Sequence, residues 1–354
     1  MIRTSKHLKK VSQYQPPSRK RSRKVKLDLN ENMLGCSPKV LDALKNIDWE
    51  NISCYPEYDL LIEKTAAHYH VKPEQILFTN GGDDAIRCAI DTYIMESDRV
   101  LLPVPTFSMF EIQLKIRGAR IRYLPYQPDF SFPFDTYHRS LCKGITMGII
   151  VNPGSPTGKS IKQDQLLSIV EKANTHNIVI LLDETYHHFS GKTNMELIKS
   201  YSNLIIMQTF SKAFGLAGMR LGFIASQEQN ILQMQKVNLP YTVNSLAVIA
   251  GLAAIEDYDH INKVISQVNN EREFLYRELT KLGLRPHMTE TNFILVDCGN
   301  YCNDIFQQLA ERGILVRNIS SNLRMEHILR ISIGTRKEHE ILIAALKEII
   351  PSLK

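Results

Sequence analysis

The chain has little cysteine, and what it has is not paired in sequence. Its six cysteines, at positions 36, 54, 88, 142, 298 and 302, are scattered, with no CxxC spacing. That argues against a disulfide framework or a zinc site and makes a reducing cytoplasm the expected compartment. No apolar run approaches the roughly 18 residues of a membrane-crossing helix, and the start lacks a signal-peptide pattern. Internal repeats are absent. Acidic residues are missing from positions 1–26, which hold ten basic ones: Arg3, Lys6, Lys9, Lys10, Arg19, Lys20, Arg21, Arg23, Lys24 and Lys26. The net charge of +6 is therefore a property of this arm, because the remainder carries 33 basic against 37 acidic residues. Such an arm can bind an anionic polymer or surface, but a solvated terminus or one packed on a partner subunit is the expectation, with neither nucleic acid nor membrane as partner. What is present is ordinary: 354 residues, 44% apolar and 23% charged, enough for two domains of a globular protein.

The chain is organised around Thr209-Phe210-Ser211-Lys212-Ala213-Phe214-Gly215-Leu216-Ala217-Gly218-Met219-Arg220. Apolar runs that read as buried strands, Leu204–Met207 and Leu221–Ala225, flank it. A lysine held there is poorly placed to be solvated and well placed to form a Schiff base. Arg220 would give a phosphate a two-pronged contact. Before this stretch, strands and helices alternate. The strands read as Ile76–Phe78, Arg99–Leu102, Arg120–Leu124, Met147–Val151 and Ile178–Leu182, residues 125–143 read as irregular, and Val25–Asn32 reads as a short strand. The spacing predicts an α/β fold, a mostly parallel sheet flanked by helices. Ligands of such sheets bind beyond the carboxyl ends of the strands. The Gly81-Gly82 turn, Asn152–Gly158, Asp183 and Lys212 each follow a strand and would converge on one edge. Gly81-Gly82 opening a helix is an anion cradle. Positions 242–282 read as one long or broken helix, and the last seventy residues as a small α+β domain. The expected division is an arm at 1–35, a large domain at 36–241, an interdomain helix at 242–282 and a small domain at 283–354, joined by part of the N-terminal segment.

Several motifs in this order resemble the fold-type-I pyridoxal-phosphate aminotransferases: Tyr55-Pro56, Asn80–Asp83, Asn152-Pro153 with Pro156-Thr157-Gly158, Asp183 with Tyr186, Ser211-Lys212 with Arg220, and Leu329-Arg330-Ile331. Within them, Leu29–Asn32, Pro105–Phe110 and Gly215–Arg220 are similar to the histidinol-phosphate aminotransferase group. The resemblance covers roughly residues 25–340. It implies that Lys212 carries pyridoxal phosphate and moves a proton, that Asp183 faces the ring nitrogen, that Phe107 stacks on the ring, and that Tyr186 bonds its phenolic oxygen. Gly81, Gly82, Asp83, Thr209, Ser211 and Arg220 would hold the phosphate, with Tyr55 contributed by a neighbouring subunit of a homodimer with shared sites. Arg330 would grip the substrate carboxylate. Arg317 would take the substrate's own phosphate, with Tyr14 of the partner's arm, and Asn32 would also face substrate. No metal is implied.

The family's asparagine before Pro-Thr-Gly is Ser155 here, too short for the same contact to the cofactor's phenolic oxygen, and the usual Asp-Glu pair is Asp83-Asp84. The expected reaction is amino transfer from a small-molecule donor to a 2-oxo acid, with histidinol phosphate and 2-oxoglutarate as the favoured pair. Decarboxylation of a phosphorylated amino acid, and transamination in a specialised pathway, remain alternatives. A DNA-associated protein on this fold rests on the basic arm alone.

Overall fold

A computed structural model of the chain describes residues 2, 4–14 and 20–353. Arg3 and Arg19 of the basic arm lie outside them. Strand β1 (Val25–Lys26) leaves the arm, and seven strands then build one large sheet: β2 (Ile76–Thr79), β3 (Arg99–Val104), β4 (Arg120–Pro125), β5 (Met147–Val151), β6 (Val179–Asp183), β7 (Leu204–Thr209) and β8 (Gly222–Ala225). Side by side their order is β2-β8-β7-β6-β5-β3-β4. Neighbours run parallel, except that β8 lies antiparallel to both β2 and β7. Both β5 and β7 are buried at every position, the pattern of strands covered on two faces. Successive side chains alternate between two cores, as the pleat requires. Ile180, Leu182 and Ile206 enter one core, and Leu181, Ile205 and Met207 the other. Truncating any of these to alanine would cost about 2–5 kcal/mol.

The C-terminal part forms a second, smaller sheet. Its strands are β9 (Arg285–His287), β10 (Phe293–Asp297), β12 (Arg317–Asn318) and β13 (Ile328–Ser332), antiparallel in the order β12-β13-β10-β9. Between them in sequence, β11 (Ile314–Leu315) turns away and pairs with β1, so the chain's start is tied to its end. The helices Cys302–Glu311 and Arg336–Ser352 accompany this sheet, the latter opened by a reciprocal cap between Thr335 and Glu338.

Several elements differ from the sequence expectation. The stretch read as irregular holds a helix, Phe134–Ser140, whose Tyr137 is fully buried. Only Val25–Lys26 of the expected strand 25–32 is paired. Positions 242–282, expected as one long or broken helix, take the broken form, Ser245–Ile255 and Tyr258–Lys281. The break has a tertiary cause, because Asp257 is drawn to Ser37 Oγ and stands 3.4 Å from Lys39 Nζ. Ser37 also caps the helix Pro38–Lys45, as its sequence implies. Among the described residues, no helix is long and apolar enough to cross a membrane, and no group of three or more His, Cys, Asp or Glu could hold a metal ion.

Candidate active site

Because β2, β5, β6 and β7 run the same way, their carboxyl ends share one edge of the large sheet, and the loops beyond them meet the small sheet across a cavity of about 870 Å³. Lys212 lies on its wall. Local packing aims it there. Phe210 and Phe214, two residues to either side, are buried and stack on each other at 4.4 Å, and Phe210 packs with Phe78 and Phe223 behind the sheet edge. Gly215 closes the turn at φ 71°, and a Cβ there would stand 2.8 Å from the carbonyl oxygen of Gly35. The Lys212 amine donates to the carbonyl of Leu29 at 3.1 Å and lies 5.9 Å from the centre of the Tyr186 ring.

Asp183 ends β6 with its carboxyl in the cavity and only 4% exposed. Burial pushes its pKa up to about 6, against two hydrogen bonds from Thr185 that pull it down. A buried acid of this kind gains a counter-charge if a protonated ring nitrogen stands before it.

The third group is an anion cradle. The helix Gly82–Tyr93 points its N-terminus at the cavity, with Gly82 and Asp83 on the wall. Gly81 lies behind that wall at φ 79°, and a Cβ there would meet the Arg220 guanidinium at 2.6 Å. Arg220 sits in the left-handed region at φ 55° and reaches Ser211 Oγ at 3.5 Å, the Ala217 carbonyl at 3.2 Å and Asp83 at 3.3 Å. Thr209 and Ser211 share a hydroxyl contact of 3.0 Å. Helix amides, two hydroxyls and an arginine held only loosely suit a phosphate. Phe107 and Ser155 complete this side of the wall. Together the lysine, the buried acid and the cradle fit pyridoxal phosphate.

The opposite end is cationic. Arg330 on β13 faces Arg317 on β12 in register, and both line the cavity. Arg330 donates to the Asp28 carbonyl at 2.9 Å, while its buried Nε has no protein partner. Among the described residues neither arginine is ion-paired with a carboxylate. Burial, and then the charge of Arg317, hold Arg330 below the ordinary guanidinium range. Like charges directly opposite destabilise a sheet, so an anion between them would relieve the strand pair.

Two site residues expected within the chain, Asn32 and Gly81, lie outside the cavity. Asn32 is outside the cavity, its amide donating to the carbonyls of Ala213 at 3.0 Å and Gly35 at 3.2 Å, where it braces the lysine loop. Gly81 leaves room for the Arg220 guanidinium, as above. Tyr55 is 76% exposed and stacks on Tyr241 at 4.2 Å. Tyr14 lines the cavity of its own chain. The arm gets there because the turn Lys6–Lys10 is pinned by Lys6 to Glu96 at 2.5 Å, and Arg21 is clamped to Asp28 at 2.6 Å and Glu31 at 2.5 Å. Basic residues of the arm thus meet acids of the same chain.

Sequence reasoning missed Asn30, which lines the cavity and donates to Tyr186 Oη at 2.8 Å. It also missed Asn318 at the end of β12, and Ser321 and Asn322 on the loop that follows. Asn30 stands two residues before Asn32, and nothing in local spacing chooses between them. Asn30 takes φ 54°, which turns the chain so that the earlier residue enters the site.

Residues 22–346 match the family model described as aminotransferase class I and II. The chain is 32% identical to the histidinol-phosphate aminotransferase of Geobacillus sp. (strain WCH70), over 92% of this chain and 90% of that protein. It is 30% identical to the enzyme of the same name from Bacillus subtilis (strain 168), over 99% of this chain and 100% of that one. Among solved structures, the histidinol-phosphate aminotransferase from Sinorhizobium meliloti, in complex with pyridoxal-5'-phosphate, superposes with a TM-score of 0.90 at 24% identity, covering 100% of this chain and 99% of that one, a likeness of fold.

Proposed function

The chain belongs to the class I and II aminotransferases, pyridoxal-phosphate enzymes, and from that premise we propose that it moves the amino group of histidinol phosphate to 2-oxoglutarate. The observation that carries the substrate reading is the pair Arg317 and Arg330, opposed in register at the end of the cavity away from the cofactor's phosphate cradle. The two partners alternate in one site. The donor brings a phosphate and the acceptor two carboxylates, so each needs cations at the same end. Two planar guanidiniums without carboxylate partners serve both.

Pyridoxal phosphate, when bound, supplies an electron sink for the pair released as the donor loses its Cα proton. The chain's residues do the rest. The amine of Lys212 carries that proton between the substrate carbon and C4′ of the cofactor. Asp183 holds a proton at the ring nitrogen, and Tyr186 bonds the phenolic oxygen. Gly82, Asp83, Thr209, Ser211 and Arg220 hold the phosphate, and Phe107 packs on the ring face. Ser155 stands on the same wall, and Tyr14 covers the substrate end.

The same reading makes the enzyme a homodimer in which Tyr55 serves the neighbouring subunit's cofactor. Its support is the exposure of Trp49, Ile52, Tyr55, Leu239 and Tyr241. The large unit at 36–241 and the small one at 283–354, bridged by 242–282, belong to it too. So does a cytoplasmic setting, which the six unpaired cysteines favour.

The test is a panel of amino donors, phosphorylated and not, followed in single turnover as conversion of the bound cofactor. Histidinol phosphate should convert it fastest, and 2-oxoglutarate should reverse the conversion. Arg317→Ala should lower kcat/KM for phosphorylated donors at least tenfold, a loss typical of a charge-assisted contact, and leave histidinol, which carries no anionic group, nearly unchanged. Faster turnover of ordinary amino acids, or release of carbon dioxide from a phosphorylated amino acid without transfer, would sink this reading.

A further inference from the structure

We infer that Asn30 sets the direction of the hydrogen bond that Tyr186 makes into the cavity, so that Tyr186 arrives at the cofactor as a proton donor. The inference rests on the pyridoxal-phosphate reading above. It starts from four bonds. The backbone N–H of Asn30 donates to Ser332 Oγ at 2.8 Å. Ser332 Oγ donates in turn to Asn30 Oδ1 at 3.1 Å. Asn292 Nδ2 donates to the Asn30 carbonyl at 2.9 Å, and Asn30 Nδ2 donates to Tyr186 Oη at 2.8 Å. Asn30 is 1% exposed and Ser332 fully buried, so water does not compete for these groups.

The directions follow from the donor inventory. Ser332 Oγ already accepts a backbone N–H, and its single proton goes to an oxygen. That places the carbonyl end of the Asn30 side chain toward Ser332 and its NH₂ end toward Tyr186. An NH₂ group only donates, so Tyr186 Oη is an acceptor on that side. Its own proton has no other protein acceptor among the described contacts, and Tyr186 and Asn30 both line the cavity. The phenol proton therefore points at whatever occupies the cavity. Asn30 is a positioning residue that acts through Tyr186 rather than on the reacting atoms.

The three groups come from three parts of the chain. Asn30 lies in the segment after β1, Tyr186 follows β6 of the large sheet, and Ser332 ends β13 of the small one. Asn30 thus ties the small sheet to the polarity of a hydrogen bond beside Lys212. The left-handed backbone at Asn30 limits what can replace it: Asp tolerates that region nearly as well, and Gly adopts it freely. Those two substitutions separate the side-chain amide from the backbone.

A donor aimed at the ring's phenolic oxygen stabilises negative charge there, so the neighbouring proton on the lysine-bound cofactor is held less tightly. Losing that donor raises the midpoint at which the cofactor's visible absorbance titrates with pH. The experiment uses full-length protein loaded with pyridoxal phosphate, without any amino donor, titrated spectroscopically. Tyr186→Phe should raise the midpoint by about one pH unit, a tenfold change in the proton equilibrium. Asn30→Asp presents an acceptor to Tyr186, draws its proton away from the cavity and should raise the midpoint in the same direction. Asn30→Gly, which frees the phenol to turn, should raise it less. In a Tyr186→Phe background, Asn30→Asp should add little, because the effect passes through the phenol.

A full-sized Asn30→Asp shift that persists without the Tyr186 hydroxyl would mean that the new charge acts directly, and the inference would fall. It would fall equally if both Asn30 variants titrated as the wild type. Should Asn30→Asp not bind the cofactor, Ser332→Ala decides: it releases the amide from its fixed orientation and should shift the midpoint upward, whereas an unchanged midpoint overturns the inference. Since no donor is present, these outcomes are independent of the donor panel that tests the substrate reading.

Discussion

At Asp183 the physics of a single residue makes a measurable demand. Its carboxyl is nearly sealed from water, and burial lifts its pKa from the ordinary 3.8 to about 6. An acid whose folded pKa lies above its unfolded one stabilises the fold relatively at low pH and loses that contribution as pH rises through the folded value. Between about pH 4 and pH 6 the cofactor-free protein therefore accumulates a penalty for ionising Asp183, and above pH 6 the penalty is constant. At 1.36 kcal/mol per pH unit it amounts to about 3 kcal/mol. Asp183→Asn removes the charge and keeps the shape. Without cofactor this variant should be more stable than wild type at pH 8 by up to about 3 kcal/mol, and the gap should narrow on going down to pH 4. Urea unfolding of the two cofactor-free proteins across that range reads it directly. A gap that is flat with pH would show that Asp183 is not strained by its burial. The same substitution should weaken cofactor binding, which is the sense in which a destabilised residue marks a site.

Among the elements, the lysine loop is the one whose sequence and geometry agree most closely. Phe210 and Phe214 bury themselves on either side of Lys212, and Gly215 turns the chain where only glycine fits. Gly215→Ala would place a methyl 2.8 Å from the Gly35 carbonyl in a backbone region that side chains avoid. A loss of about 1–3 kcal/mol is expected. Calorimetry should show it as a fall of several degrees in the unfolding temperature. Weaker fixation of the cofactor by borohydride should accompany it, because the turn positions Lys212. An unchanged melting temperature would mean that Gly35 and its neighbours yield at no cost. The strands around this loop were legible because burial on both faces writes uninterrupted apolar runs, as in Met147–Val151 and Leu204–Met207. The helix Phe134–Ser140 was not legible: its seven residues include Thr, Tyr, His and Ser, and a buried Tyr137 with long-range packing decides its fate. A break within 242–282 is one of the two forms expected there, but its place after Ile255 was not legible, since that point contains neither Gly nor Pro and depends on Ser37 and Lys39 drawing Asp257 aside. For the same reason Asn30 and Asn32 could not be told apart. Their roles follow from a left-handed turn at Asn30 and from partners some 150 to 300 positions away, Tyr186 and Ser332.

For the whole molecule, the large aromatic and aliphatic side chains left on the surface pose the sharpest question. Trp49, Ile52 and Tyr55 are 68%, 70% and 76% exposed, and Leu239 and Tyr241 are 65% and 52% exposed. Side chains of this size concentrated around one short helix and one loop are what a stable subunit interface draws on, with roughly 800 Å² covered on each partner. Trp49→Glu together with Ile52→Glu would bury charge in that contact and should convert a dimer to a monomer in sedimentation velocity. If Tyr55 completes the neighbour's phosphate cradle, the monomer should also bind pyridoxal phosphate at least tenfold more weakly, about the worth of one charge-assisted hydrogen bond. Tyr55→Phe separates the two effects. It keeps the ring that stacks on Tyr241 and removes the hydroxyl alone, so the dimer should persist while cofactor affinity falls. A monomer that binds cofactor as tightly as the parent would show each chain's cradle to be complete by itself. Wild-type protein sedimenting as a monomer would mean that these side chains meet some other surface, and that Tyr55 takes no part in the site.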